Sequence, residues 1–209
     1  MTRALTAALM AAALAAVGCG NTGEATVDGV LLAQADGAED PPEGATLAVD
    51  DKTIDAAKIP AGAKVVRLAV GRKVMWTRVQ ELMRKVEAAG ARPVLLTGDW
   101  NKVKAFRMED EGAAGRAIQV IAYIDGKACV QPPGAIEAKC VQSGTKQYIE
   151  RAYVRELVRE QVKRFNVQQV EVELPQSLPW ADVVRTVDAA RTCCTGTTVR
   201  VRLKPGARD

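Results

Sequence analysis

The stretch VEVELPQSLPWADVVRTVDAAR, residues 170–191, decides how this chain is expected to fold. It begins inside a strictly alternating segment, 168–174, whose every second residue is apolar, as in a β-strand with one buried face. The apolar residues then recur at helical spacing. Pro179 stands near the start of this helix, where its missing N–H costs nothing, and Trp180 follows it. Because 198–203 alternates again, the region predicts a strand–helix–strand unit.

The same pattern occurs once before in the chain. Its parts are a strand at 64–70, a helix at 75–89 and a strand at 92–97. Aligning Trp76 with Trp180 places a Trp at the start of both helices, 104 positions apart, and one added residue near Gly90 then aligns Val94 with Val199. Any two such units resemble each other to some degree, so the matched Trp residues and lengths carry the interpretation of a duplication. Two copies could share a core that neither could bury alone.

The region between the two units predicts further elements. Residues 98–116 are polar and predict a loop, and 117–124 read as a strand. Asp125-Gly126 indicates a hairpin, with positive φ at both turn residues and a return strand at 127–131. Residues 147–165 predict the longest helix. The expected fold class is therefore α+β: two strand–helix–strand repeats, a central hairpin and a long helix, with sheet packed against helices.

The composition excludes several classes of function. The 209 residues are 48% hydrophobic and contain no histidine, which removes the commonest general base and metal ligand. The net charge of +4 includes an acidic stretch, 20–60, of net charge −7. The basic residues elsewhere are interleaved with acids, so we expect a mixed-charge surface and no nucleic-acid partner. The acids at 109–111 could hold a cation but are expected to be solvated. We find no catalytic constellation and predict a non-enzymatic protein without cofactor or metal.

The first nineteen residues predict export. The apolar run 4–17 is shorter than the ~20 residues that span a bilayer, and it suits a signal peptide. Its end, 16–19 (AVGC), resembles a bacterial lipobox, so Cys19 is the expected lipidation site. Gly20 after this Cys favours the outer membrane in the lipoproteins it resembles, facing the periplasm. A cut after Ala15 is the alternative, and it would give a soluble periplasmic or secreted protein.

The rest of the chain divides into three expected parts. Residues 20–45 are rich in Gly, Ala, Asp and Glu and predict a flexible acidic linker. The range 46–116 holds the first strand–helix–strand unit, and 117–209 holds the hairpin, the long helix and the second unit.

Four cysteines follow Cys19, and an exported chain favours disulfides. The candidates are Cys129, Cys140, Cys193 and Cys194. One possibility is a local Cys129–Cys140 bridge. The other is a cross-link from the adjacent pair to Cys129 or Cys140, which would tie the last unit to the central hairpin. Redox activity of Cys193-Cys194 is a further alternative.

The second unit resembles the periplasmic domain of the ExbD/TolR family. The resemblance rests on Pro179-Trp180, Val183-Val184 and the run Asp188-Ala189-Ala190-Arg191. The unit around Trp76 looks like a more distant relative. The resemblance implies an α+β fold, dimerisation, and binding of peptide segments or cell-wall material, with strand addition as one mode. The family's membrane helix and its acid are missing here, so a proton-conducting role does not carry over.

Together these observations predict an exported envelope lipoprotein that acts as a non-enzymatic adaptor. Its expected partner is an envelope protein or peptide segment, or the cell wall, and a homodimer is a further expectation. The membrane is reached only through the lipid anchor. A place as an accessory to ExbB/ExbD-type biopolymer transport is an additional hypothesis, and a periplasmic thiol-redox protein using Cys193-Cys194 is the alternative function.

Overall fold

The computed structural model describes residues 24–110, 116–142 and 148–204. The predicted signal peptide and Cys19 lie outside this part of the chain. The helices are α1 (Trp76–Ala88), α2 (Arg151–Phe165) and α3 (Trp180–Arg191). The strands are β1 (Thr26–Val27), β2 (Val30–Leu31), β3 (Ala45–Val49), β4 (Val65–Val70), β5 (Arg92–Asp99), β6 (Lys102–Phe106), β7 (Ile118–Ala122), β8 (Lys127–Gln131), β9 (Lys139–Gln142), β10 (Gln169–Glu173) and β11 (Arg200–Lys204). None of the described helices is long and apolar enough to cross a membrane.

The strands form two mixed sheets and one small hairpin. The first sheet has the order β3-β4-β5-β6, the second has the order β11-β10-β7-β8-β9, and β1 pairs with β2. In the first sheet α1 connects the parallel strands β4 and β5, and β3 lies parallel on the other side of β4. In the second sheet α3 connects the parallel strands β10 and β11, and β7 lies parallel beside β10. The α+β class and the two strand–helix–strand units are confirmed.

One hydrophobic core extends through both units. The buried stripe of α1 (Trp76, Val79, Leu82 and Val86) and that of α3 (Trp180, Val183, Val187 and Ala190) belong to the same cluster. The long helix α2 adds Val154 and Val158 to it and packs against α3. The predicted helix 147–165 begins later than expected, at Arg151. The two units therefore share their apolar interior.

The central hairpin forms with a longer turn than predicted. Gly126 has a positive φ of 80°, whereas Asp125 does not. Instead, the Asp125 carboxylate accepts a hydrogen bond from the Lys127 amide at 3.1 Å. Three described strands that were not anticipated, β1, β2 and β3, lie within or just after the predicted linker. Two more are β6, within the segment predicted to be a loop, and β9. Both lie at the ends of sheets, where short strands with lysines are common and give no clear alternation.

The prediction of a flexible linker is wrong for its described part. Residues 24–40, here called the strap, pack along the first sheet and bury Ala25, Leu32, Ala33 and Ala35. Gly98 of β5 donates a hydrogen bond to the Ala33 carbonyl at 2.7 Å and accepts one from the Ala35 amide at 2.9 Å. A Cβ on Gly98 would collide with the side chain of Gln34. Small residues on both sides therefore allow a close backbone approach, which composition alone did not reveal.

The insertion between the two copies is larger than the alignment predicted. Val66 lies opposite Pro93, and its counterpart Val170 lies opposite Val201. Pro93 therefore corresponds to Val201, a separation of 108 positions, whereas the helices are separated by 104. The second unit thus has four extra residues, and the alignment of Val94 with Val199 is wrong. The extra residues lie between α3 and β11, in the turn that contains the adjacent cysteines.

Candidate functional site

The two units meet at the starts of α1 and α3, a region here called the seam. The first two amides of each helix donate hydrogen bonds to carbonyls in the loop before the other helix. The bonds run from Trp76 N to Leu178 O (2.9 Å), Thr77 N to Gln176 O (3.0 Å), Trp180 N to Val74 O (2.7 Å) and Ala181 N to Arg72 O (3.0 Å). Every donor and acceptor in one half has its counterpart 104 positions away in the other. The seam therefore has the reciprocal pattern of an interface between two identical subunits.

The reciprocal bonds explain an oddity of both helices. The first amides of a helix have no partner within it, and a Ser, Thr, Asp or Asn side chain usually supplies one. Here the N-cap residues are Met75 and Pro179, and neither gives a side-chain hydrogen bond. Carbonyls of the opposite unit take that place. Each unit therefore completes the helix start of the other.

The paired Trp residues fill the centre of the seam. The rings of Trp76 and Trp180 are stacked, with centroids 5.9 Å apart and planes at 17°. Phe106 approaches the Trp180 ring edge-on at 6.3 Å. Trp180 is fully buried and Trp76 nearly so. The motif residues Trp76, Pro179 and Trp180 are thus brought together, and their role in the structure is to join the two units.

Asp188 fastens the strap to α3. Its Oδ1 accepts hydrogen bonds from the amides of Asp36 (3.1 Å) and Gly37 (2.8 Å), and its Oδ2 accepts one from Arg151 (3.0 Å). A Cβ on Gly37 would stand 2.7 Å from Thr192 Cγ2, so glycine permits this approach. The side chain of Asp188 is completely buried, which makes these partners essential for its charge.

Asp36 completes this ionic cluster. Its carboxylate pairs with Arg151 at 2.8 Å and with Arg155 at 2.7 Å. Burial by itself would raise the pKa of Asp36, but the hydrogen bond from Arg155 and the charge of Arg151 outweigh it and hold the pKa below its usual value. The strap is therefore held to α2 and α3 by charged groups as well as by its buried alanines.

Arg191 holds a second segment, residues 107–110, which follows β6. Its guanidinium donates a hydrogen bond to the Arg107 carbonyl, lies 3.4 Å from Asp110 Oδ2 and covers the Phe106 ring. Asp110 in turn bonds both backbone groups of Val201: its amide donates to the carbonyl, and its Oδ2 accepts from the amide, each at 2.8 Å. Arg191 thereby positions Asp110 on β11.

The described cap on the outer edge of β11 is the short segment 109–110, which contributes two carboxylates and one backbone amide. The Val201 amide bonds Asp110, and the Leu203 amide donates to Glu109 Oε1 at 2.9 Å. In the first sheet the corresponding edge of β5 pairs with β6 over five residues. Strands β3, β4 and β5 therefore correspond to β7, β10 and β11, and within the described residues a further strand lies beside β5 but none lies beside β11. Glu109 and Asp110, which the sequence suggested as solvated acids, have a role that no local pattern indicated.

A groove of about 680 Å³ lies beside this edge, between β11 and α1. Its apolar floor includes Trp76, Met83, Met108 and Leu203, and its charged rim includes Arg84, Glu87, Glu109, Arg202 and Lys204. Methionine side chains adapt readily to different apolar partners. The edge and the groove together can take up an extended segment, and this is the candidate functional site.

The cysteines divide into a bonded pair and two free thiols. Cys129 and Cys140 lie opposite each other on β8 and β9 and form the disulfide. Directly opposed residues on antiparallel strands are close enough to bridge, so the local pairing is confirmed. The cross-link to Cys193 or Cys194 is wrong, because both are free. Burial, with the neighbouring Cys194, raises the pKa of the Cys193 thiol, which reduces its thiolate fraction and reactivity.

The described residues contain no group of three or more His, Cys, Asp or Glu side chains that could hold a metal ion. Comparisons with protein-family models, curated proteins and solved structures find no match to this chain.

Proposed function

We propose that this chain is an exported, non-enzymatic adaptor, lipid-anchored through Cys19, that binds an extended segment of another envelope protein along β11. The observation that carries the proposal is the difference between the two equivalent edges. β6 covers β5 over five residues, whereas the described contacts on the outer side of β11 are the carboxylates of Glu109 and Asp110 and the single backbone amide of Asp110. An edge strand offers backbone donors and acceptors to an added strand.

The correspondence between the two sheets also predicts the direction in which the added segment runs. Since β6 runs antiparallel to β5, the added segment runs antiparallel to β11. The Leu203 amide then donates to a carbonyl of the added segment and no longer to the Glu109 carboxylate. If the segment pairs along the full strand, its backbone also replaces the contacts of Asp110 with Val201. Both displaced carboxylates belong to a surface segment and can be rehydrated, so displacement costs less than breaking a buried ladder.

The groove suggests the chemistry of the segment. Alternate side chains of an added strand point to the same face, so every second one would enter the groove beside α1. Apolar residues fit the floor at Met83 and Met108. The three cations of the rim (Arg84, Arg202 and Lys204) outnumber its two acids (Glu87 and Glu109), which favours acidic residues next to the apolar ones.

The test blocks the edge without disturbing the sheet. The Leu203 amide faces away from β10, since it bonds Glu109, so Leu203→Pro removes an outward donor and changes the side chain but breaks no hydrogen bond to β10. Leu203→Val is the matched control, because it shortens the side chain and keeps the amide. A photo-crosslinking amino acid at Arg84 in the envelope-located chain should capture a partner in the wild type and in Leu203→Val.

Leu203→Pro should lose that adduct while its thermal unfolding curve stays close to that of Leu203→Val. An adduct that persists in Leu203→Pro would refute strand addition at β11. The anchor is tested separately: palmitate should label the wild type and not Cys19→Ser, and labelling that persists in Cys19→Ser would refute lipidation at this residue.

Other expectations follow from the ExbD/TolR resemblance alone and stay predictions: homodimerisation, cell-wall binding and a role beside an ExbB-like motor. Co-purification of such a motor with the wild type, and its loss in Leu203→Pro, would favour the transport role. Raised pKa and burial at Cys193 give no support to the thiol-redox alternative.

A further inference from the structure

We propose that Trp100 is a membrane-interface anchor, which sets the turn between β5 and β6 into the headgroup layer of the bilayer that holds Cys19. The inference rests on the proposed lipid anchor. It adds an orientation: the groove between Trp100 and the strap faces the membrane, and its occupant is the lipid surface.

Trp100 differs from the other two Trp residues of the chain. Its surface is 79% exposed, whereas that of Trp76 is 4% exposed and that of Trp180 is 0% exposed. Its φ is +53°, a left-handed conformation that is uncommon for a bulky residue. The turn therefore keeps a large aromatic side chain outside the core. Trp side chains are enriched at membrane–water interfaces, where the ring is apolar and the N–H meets water.

The packed strap places Trp100 close to the anchor point. Glu24 and Trp100 line one groove of about 480 Å³, together with Gln34, Asp99 and Arg151. Five residue steps separate Glu24 from Cys19, which span at most about 18 Å when fully extended. Because the strap lies on the first sheet, residues 24–40 add no slack to this distance. A lipid on Cys19 therefore holds the rim of this groove near the bilayer surface.

The charges around Trp100 suit a zwitterionic surface. Glu24 pairs with Arg72 at 3.0 Å, and Asp36 pairs with Arg151 at 2.8 Å. Asp99 lies opposite Lys102 across the hairpin. Each acid that lines the groove is thus matched by a nearby base, and the face is close to neutral. Such a face meets phosphatidylethanolamine or phosphatidylcholine headgroups without net repulsion.

The experiment uses the lipidated full chain in vesicles of phosphatidylcholine and phosphatidylethanolamine with brominated acyl chains, which quench nearby Trp fluorescence. The Trp100 signal is the difference between the wild type and Trp100→Phe. It should be quenched by the brominated lipids, become protected from aqueous acrylamide, and shift to shorter wavelength relative to unlipidated Cys19→Ser in solution. The buried Trp76 and Trp180 should show none of these changes.

The control moves the probe to another exposed position. Ile136, in the loop between β8 and β9 of the second sheet, is 99% exposed. A Trp placed there by Ile136→Trp, in the Trp100→Phe chain, should remain open to acrylamide and unquenched by lipid. Equal quenching at both positions would overturn the proposed orientation. Trp100 that stays open to acrylamide in a palmitate-labelled chain would refute the membrane contact while leaving the lipid anchor intact, and a soluble groove ligand would then be the occupant to seek.

Discussion

Asp188 and Arg191, less than one turn apart on α3, each attach a different segment to the second unit. Asp188 binds the strap at Asp36 and Gly37, and Arg191 positions the segment that caps β11. Both segments precede the second strand–helix–strand unit in the sequence. At the scale of residues, the short run Asp-Ala-Ala-Arg therefore determines where two long connections lie.

The ionic cluster of the strap predicts a pH-dependent stability. The lowered pKa of Asp36 means that its contribution is complete above the unfolded value of about 3.9 and is lost as the pH falls through the lower folded value. Asp36→Asn should therefore lower the melting temperature at pH 7 and converge with the wild type once the pH falls below the lowered folded pKa of Asp36. Since the side chain is 48% exposed, we expect at most ~1 kcal/mol, or about 2–4 °C.

Thermal unfolding followed by circular dichroism between pH 2 and pH 7 measures this difference. Asp51→Asn is the control, because Asp51 is exposed and its carboxylate makes no ion pair in the described structure. A constant difference between Asp36→Asn and the wild type at every pH would contradict the prediction.

The free thiols should differ in reactivity. Burial raises the pKa of Cys193, whereas the side chain of Cys194 is partly accessible. At pH 8 and with the Cys129–Cys140 disulfide intact, a thiol reagent should therefore modify one thiol quickly and the other only after unfolding in guanidinium. Cys194→Ser should remove the fast phase and Cys193→Ser should keep it. Two equally fast thiols in the native chain would contradict this assignment.

At the scale of elements, α1 and α3 begin without side-chain caps and depend on each other's preceding loops. The exchange uses backbone groups, so no single side chain encodes it. The stacked Trp rings keep the two loops at the distance that the four hydrogen bonds require. The stability of the first turn of each helix therefore depends on the presence of the other unit.

Trp180→Ala should destabilise the chain by about 3–5 kcal/mol, since it leaves a large cavity at a fully buried position. Trp180→Phe should cost clearly less. It keeps an aromatic ring, and the buried Trp180 Nε1 has no hydrogen-bond partner among the described residues that would be lost. Guanidinium unfolding of the two variants and of the wild type measures the difference. If Trp180→Phe and Trp180→Ala lose the same free energy of unfolding, the aromatic ring that Phe keeps in the stack contributes nothing measurable.

Strong periodicity made the paired units predictable. The strands beginning at Val65 and Gln169 and the helices beginning at Trp76 and Trp180 have regular apolar spacing, and the Trp match correctly identified the counterparts. The strap was not predictable from composition, because its contacts depend on small residues approaching Gly98 closely. The contact of Arg191 with Asp110 was missed because the two residues are distant in sequence. The edge strand β6 was missed although its partner β5 directly precedes it, because it lies within a segment, 98–116, that is polar overall.

At the scale of the molecule, the seam makes the two units one cooperative body. They share one hydrophobic cluster and four reciprocal hydrogen bonds. A subunit interface of this kind would depend on concentration in a dimer, but here both sides belong to one chain. The two units should therefore not unfold separately.

Hydrogen exchange tests this cooperativity. Trp180→Phe, although it lies in the second unit, should accelerate exchange in β4 and β5 of the first unit as well as in β10. An Ala substitution of exposed Tyr153 on α2 is the control and should leave β4 and β5 unchanged. Faster exchange confined to β10 and β11 in Trp180→Phe would show that the units open independently.

Fusion of the two halves also sets how many partners one chain can hold. Two identical subunits around a two-fold axis present every edge twice and so bind two copies of a ligand. In this chain β6 occupies the edge of the first sheet, and no strand of the described ranges occupies the equivalent edge at β11. Because the two units belong to one chain, this edge is available only once per molecule. A segment that adds to it therefore forms a one-to-one complex and binds in one strand direction.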